Sequence, residues 1–424
     1  MINSESRLAG FVPAIVVDVA LAALSFFVLY NGVTSFERSI SLYDATLTSQ
    51  ILPVVLLMFL PYVFIGLRPL DFWADQGAWL AIVLVMVVST ALADQSAATD
   101  KLRLMIACLA FGLALRTWLE HATDHAVAAI LLAICLFHAL VLILVIQKAP
   151  SANPLLPYDQ SWVPYHSHIR HVAYHGMVAG CAGIALGFLH PVLRLPGFLL
   201  ATLALAGTFF FGARGALLGW LVFVAVFALT SRKYRTLLPA AGLTVALGMG
   251  LAMALEAFFI QSPFTGTLHG RVESVSKLVN STGRSGIWLD ALQVALKHPW
   301  FGDGMDVYRS SGCCMPESTV HPHNTLVQWL MEFGVIGTFA VLWALWRIIG
   351  KRLVPALRHG NTNVGQSVLL SLIVGLLVFG LVDGVFYHAV PLLVFSILCA
   401  LLYGTEREPS VKMSNNEAHL PAGK

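Results

Sequence analysis

Arg214, Arg284 and His323 are the residues of this chain whose types and neighbours fit chemistry best. Arg284 lies in Ser-Thr-Gly-Arg-Ser-Gly, a turn that leaves backbone N–H groups free to meet an anion. The residues after it carry apolar side chains at helical spacing: Ile287, Ala291, Leu292, Ala295 and Leu296. An arginine that opens a helix among small residues has the makings of a phosphate cradle. His321-Pro-His323-Asn324 stands directly before a long apolar run. Thr325 with Gln328 resembles a capping box there, which puts His323 at the mouth of a membrane helix. Arg214 is a lone charge in FFFGARGALLGW, between two apolar runs. Charge is expensive in that setting and marks function by default; the plainer reading is an arginine snorkelling to headgroups.

Further polar residues offer themselves more weakly. Glu332 lies about two turns into the run that follows His323, where a carboxylate could orient the ring or accept a proton. Asp383 and His388 sit at the junction of the last two apolar runs, and their plainer reading is helix packing. A segment rich in Pro, Tyr and His holds His166, His168, Arg170, His171 and His175. His171 and His175 can share a helix face, but a metal site needs three or four ligands in defined geometry, and the Glu of an HExxH pattern is missing. An interfacial belt or a rim touching sugar or phosphate are the alternatives. Asp303 and Asp306 in WFGDGMD suggest a tight turn more than a cation site.

These residues need a scaffold, and composition says which kind. The chain has 424 residues, 58% hydrophobic and 11% charged. Soluble domains carry roughly 25% charged residues, so the deficit points to a polytopic membrane protein. A hydrocarbon core of roughly 30 Å takes about 20 helical residues. About twelve such stretches can be marked, among them 11–30, 50–67, 102–116, 325–347, 366–386 and 388–404. The first is expected to be a retained helix, not a cleaved signal. Residues 1–404 then form one transmembrane domain with a large loop at about 260–324, and the polar tail 405–424 is expected to be disordered.

Basic residues choose the orientation. Arg232, Lys233, Arg235, Arg347, Lys351, Arg352 and Arg358 fall in one set of short connections, with Arg407 and Lys412 in the tail. The positive-inside rule makes these cytoplasmic, and both termini with them. The loop at 260–324, segment 147–172 and the turn at Arg214 then face outward, into the periplasm of a Gram-negative cell. Cys108, Cys135, Cys181 and Cys399 lie in apolar runs as packing residues, while a bond between adjacent Cys313 and Cys314 would be strained.

FGARGALLG, TGRSGIWLDALQVALKHPWFGDG and HPHNTLVQWLMEFGVIG, in that order over roughly 205–340, resemble the O-antigen ligase and polymerase superfamily of bacterial membrane glycosyltransferases. The resemblance implies an all-α polytopic fold of the C-type membrane glycosyltransferases (GT-C-like), with one large periplasmic loop. It implies an undecaprenyl-diphosphate-linked O-antigen as donor, no metal or other cofactor, and no nucleic acid. Chain length and the single large loop resemble the ligase branch, whose acceptor is lipid A–core oligosaccharide in the inner membrane. The polymerase and protein O-oligosaccharyltransferases are the alternatives within the superfamily. The family's essential arginines match Arg214 and Arg284, and its histidine matches His323. His321, Asn324, Glu332, Arg170, His171, His175, Asp383 and His388 are substrate-binding candidates around them, whereas Arg271 and Arg309 lie outside the motifs. A transporter or flippase is the reading from another class, expected to show broken helices or paired charges near the bilayer midplane.

Overall fold

The computed structural model describes residues 13–34, 40–64, 73–93, 96–119, 121–123, 125–148, 170–232, 235, 238–258, 284–310, 321–360 and 363–404. His166, His168, Arg271, Cys313, Cys314, much of the 260–324 loop and the C-terminal tail lie outside the described residues, as does the Arg170 side chain. Everything described is helix, turn or short connection. That follows from the sequence, because apolar runs that meet lipid must satisfy each backbone group internally.

In chain order the helices are α1 (Ala14–Thr34), α2 (Ile40–Phe64), α3 (Trp73–Leu92), α4 (Ser96–Leu119), α5 (Ala126–Lys148), α6 (Arg170–Leu189) and α7 (Arg194–Phe210). After them come α8 (Arg214–Thr230), α9 (Leu238–Phe258), α10 (Arg284–Ala295), α11 (Thr325–Leu345), α12 (Lys351–His359), α13 (Val364–Gly380) and α14 (Ala389–Gly404). Among the described residues, 7 helices are long and apolar enough to cross a membrane, and five apolar helices are shorter. The free cysteines Cys108, Cys135, Cys181 and Cys399 are buried packing residues.

The helices run up and down, so their ends sort into two layers. α6 packs on α7, α8 on α13, α2 and α14 on α4, α1 on α5, and α3 on α11. α8 and α13 cross closely because Gly219 faces Gly375: a Cβ on Gly375 would sit 2.6 Å from the Gly219 carbonyl oxygen. At one end Arg116, in the last turn of α4, stacks over Tyr403 near the end of α14, and Asp18 of α1 accepts from the Thr123 amide. The N-terminal end of α1 and the C-terminal end of α14 therefore share a layer. The starts of α4, α6, α8, α11 and α14 lie in the other.

Two spans differ from the hydropathy reading. The stretch read as 366–386 stops at Gly380, because Leu381–Gly384 form a turn built around Asp383 and a short 3-10 turn, Val385–Tyr387, follows. The stretch read as 325–347 continues through a π-helical turn, Trp346–Gly350, into α12, and it is broken in the middle. At Gly334 the backbone takes φ 65° and ψ −170°, a region essentially reserved for glycine. The loop Pro299–Gly304 occupies the break. The amides of Asp303 and Gly304 donate to the carbonyls of Met331 and Glu332, at 2.9 and 3.0 Å. The amides of Val335 and Ile336 donate to Pro299 and Trp300, at 2.7 and 3.1 Å. Breaking a membrane helix exposes costly backbone groups, and here a polar loop supplies partners for four of them. This is the turn read from Asp303 and Asp306.

Candidate functional site

The turn Leu381–Gly384 gathers the residues singled out in the sequence. Asp383 is buried and faces His323, with His323 Nδ1 at 2.8 Å from Asp383 Oδ1. The same oxygen accepts the Gly384 amide at 2.8 Å. Arg284 donates from Nη1 to the Val382 carbonyl at 2.5 Å. Arg214 begins α8, and its neighbour Gly215 lies so close to the turn that a Cβ there would come within 3.0 Å of Val382. Three elements distant in sequence thus meet on four residues of turn.

Each is placed by its own local structure. α10 rests on α11 through Ile287, Ala291, Val294 and Ala295 packed with Val307, Val327 and Met331, while Leu292 and Leu296 of the expected stripe are exposed. Trp288 Nε1 donates to the Pro322 carbonyl at 2.8 Å and pins α10 to the histidine segment. His323 adopts φ 53°, a left-handed conformation that is uncommon for a bulky residue and is found most often where function holds it. The helix cap lies one residue earlier than the sequence suggested. Asn324, not Thr325, caps α11, its side-chain oxygen accepting from the Leu326 and Val327 amides at 2.9 and 3.1 Å.

Electrostatics fix the protons. Burial alone would raise the Asp383 carboxyl, but the His323 hydrogen bond and the charge of Arg284 hold it below the ordinary carboxylate range. An ionised Asp383 is an acceptor, so His323 donates from Nδ1, which leaves Nε2 of the neutral ring as the nitrogen able to accept a proton. Burial, and then His323, push His321 down to about 3. His321 is therefore neutral, and since its Nδ1 accepts the His323 amide at 3.2 Å, its proton is on Nε2. A Cβ on Gly384 would collide with the His321 ring, which accounts for glycine beside Asp383.

Other expected residues divide. His171 packs against His388 with ring centroids 4.1 Å apart and the planes tilted by 48°, and so belongs to the rim of this cluster. His388 is held well below the usual histidine range by burial and then by His171, and its Nε2 has no hydrogen-bond partner among the described residues. His175 departs from the site: it is buried against α5, with Nδ1 2.8 Å from His138 Nδ1. Glu332 does not meet His323 either. Its Oε1 accepts from Gln328 Nε2 at 3.0 Å and from the Asp306 amide at 3.2 Å, so the carboxylate that orients the histidine is Asp383. Arg309, outside the motifs in sequence, pairs with Asp306 at 3.6 Å.

Two residues escaped the sequence reading. Lys101 and Asp44 form a buried ion pair, Nζ to Oδ2 at 3.5 Å, and the Lys101 ammonium lies 4.1 Å from the centroid of the Tyr387 ring. His321, His323 and Asp383 are the described group able to gather around a cation. Nδ1 of each of these histidines already has a hydrogen-bond contact, to Asp383 or to the His323 amide. An apolar cavity of ≈ 320 Å³ opens between α6, α7 and α9 at the opposite end, lined by Phe188, Arg194, Phe198 and Thr244 among others.

A bundle of helices this apolar, 7 of them long enough to cross a membrane among the described residues, points to a multi-pass membrane protein. Residues 198–342, which run from within α7 to within α11, match the family model described as O-antigen ligase, and the match supports membership of that superfamily. Members are glycosyltransferase-like ligases and polymerases of lipid-linked polysaccharide. No curated protein matches the chain.

Proposed function

We propose that this protein is an O-antigen ligase that moves polysaccharide from undecaprenyl diphosphate to a sugar hydroxyl of lipid A–core at the outer face of the inner membrane. In this reading about twelve helices of a GT-C-like bundle cross the bilayer, and both termini are cytoplasmic. The observation that carries the reading is the convergence on one turn of Arg284, the start of α8 with Arg214, and the Asp383–His323 pair.

The chemistry follows from charge. As the glycosyl carbon leaves the diphosphate, negative charge grows on the phosphate oxygen. α8 and α10 each begin with an arginine and have no acidic residue in the first turn, so two positive helix ends and two guanidinium groups reinforce one another. Fixed donors of this kind replace a divalent ion. His323 Nε2 takes the proton of the acceptor hydroxyl as its oxygen bonds to the sugar carbon, and the carrier leaves as the diphosphate. Asp383 stabilises the imidazolium that results.

The transporter reading keeps two features on its side, since α11 is broken and Lys101–Asp44 is a buried charge pair. Four backbone groups at the break are occupied by the protein's own loop, which favours a structural role for it. The test is conversion. Purified protein in detergent with lipid-linked glycan and lipid A–core should form conjugate, and should do so in EDTA. In a deletion strain, polymer should remain on the carrier and the core should be bare. At most one repeat on the core would identify a polymerase, and no product from either acceptor would favour transport.

A further inference from the structure

Behind the histidine turn lies a second layer of charge, contributed by helices outside the stretch that matches the family. Asp44 of α2 and Lys101 of α4 are buried, with side chains only 3% and 4% exposed. Lys101 Nζ faces the Tyr387 ring at 4.1 Å. On the far edge of that ring, the Tyr387 hydroxyl donates to Asp306 Oδ1 at 2.6 Å, and Asp306 also pairs with Arg309. Tyr387 touches both histidines that flank the site, with centroids 5.3 Å from His321 and 5.4 Å from His388.

A buried ion pair is a poor device for stability alone, because desolvation offsets most of its attraction. A cation held against an aromatic face is, however, a directional contact, and it strengthens where water is excluded. Asp44 fixes the ammonium, the ammonium fixes the ring, and the ring is the wall on which His321 and His388 rest. We propose that Lys101, held by Asp44, is a positioning residue for the outer-face site and acts through Tyr387. This rests on the glycosyl-transfer reading above, and it extends the functional unit into the N-terminal half of the chain.

Lys101→Met alone would strand Asp44 in the interior, so the informative variant is Asp44→Asn with Lys101→Met, which removes both charges. The full-length protein is studied in detergent, with its thermal midpoint recorded for every variant. The double variant should remain folded and lose kcat by roughly 10–100-fold, the scale of a small misplacement at a reacting site, while KM for the carrier-linked donor is unchanged. Lys101→Arg should restore most of the rate. Adding Tyr387→Leu to the double variant should cost little more than either change alone, because both cut one chain of contacts. A folded double variant within two-fold of the parent, or losses that multiply, would overturn the proposal. Hydrogen exchange of the peptide spanning 381–391 provides a readout that needs no activity. It should quicken in the double variant even if the parent makes no conjugate, in which case the ligase reading fails and the positioning role stands; unchanged exchange counts against the role.

Discussion

His323 is held in a backbone conformation that few bulky residues adopt, between a proline and the cap of α11, and its ring is fixed from one side by a carboxylate. Such over-determination makes sense if the angle of Nε2 matters. Asp383→Asn keeps the shape but no longer favours the Nδ1–H tautomer, so conjugate formation should fall by roughly 10²–10⁴, the range of general base catalysis, with the thermal midpoint little altered. Arg284→Lys should also be severe, by about 10²–10³ in rate. A lysine keeps the charge but cannot both tie to the Val382 carbonyl and present a planar fork. Near-parental rates in well-expressed variants would mean that the turn is structural. His321 carries a separate prediction about pH. Its folded value is about 3 against 6.5 for the free side chain, so between those values the unfolded chain binds a proton that the native protein refuses. Stability is therefore fully present above 6.5 and declines as the pH falls, by up to about 1.4 kcal/mol per pH unit for this residue. His321→Asn should flatten the dependence of the thermal midpoint between pH 7 and 5 by about that contribution; an unchanged slope would count against a buried, neutral His321.

At the level of elements, the break in α11 decides where the site stands. Gly334→Ala would place a Cβ 2.5 Å from the Phe301 amide nitrogen in a backbone region that only glycine tolerates. It should lower stability by at least about 1–3 kcal/mol, seen as a lower melting midpoint in detergent. Gly242→Ala in α9 has nothing within 4 Å of the added carbon and should leave the midpoint unchanged or slightly higher. Equal effects would refute the docked-loop account. Hydropathy located the helices, because an apolar run of sufficient length has few alternatives, but it could not show this break: averaging over a window smooths one glycine away. It also hid Asp44 and Lys101. The spans were read as 50–67 and 102–116, trimmed where charges appear, while the helices begin at Ile40 and Ser96 and carry both charges inside. The two arginine turns were legible because a lone arginine among small residues stands out in an apolar sequence, and the structure brings both to the Leu381–Gly384 turn. Glu332 was favoured over Asp383 as the partner of His323 because it is near in sequence, and proximity along a chain says little about two helices joined by a distant turn.

Across the whole molecule, the two layers of helix ends differ in chemistry. His171, His321, His323, His388, Asp383, Arg214 and Arg284 share one layer. The other holds Arg116 and Arg352 over Tyr403, at 4.2 and 4.3 Å, together with Arg232, whose amide donates to the Gly360 carbonyl at 3.0 Å. Arg347 and Arg358 follow on the continuation of α11. Positive residues that cap the inner ends of helices resist translocation, so the basic layer is expected in the cytoplasm and the histidine layer outside. The proposed ligase mechanism requires that orientation, because it has the lipid-linked donor meet the arginine and histidine layer on the outer side. A phosphatase reporter that is active only outside the cytoplasm should therefore work when fused at Gly312 and be silent at Arg352. The same fusions with a cytoplasm-specific reporter should give the opposite pattern. If Gly312 reports from the cytoplasm, the arginine and histidine layer faces the wrong pool of glycan. The ligase mechanism would then fail at the level of the whole molecule, whatever the geometry of its turn.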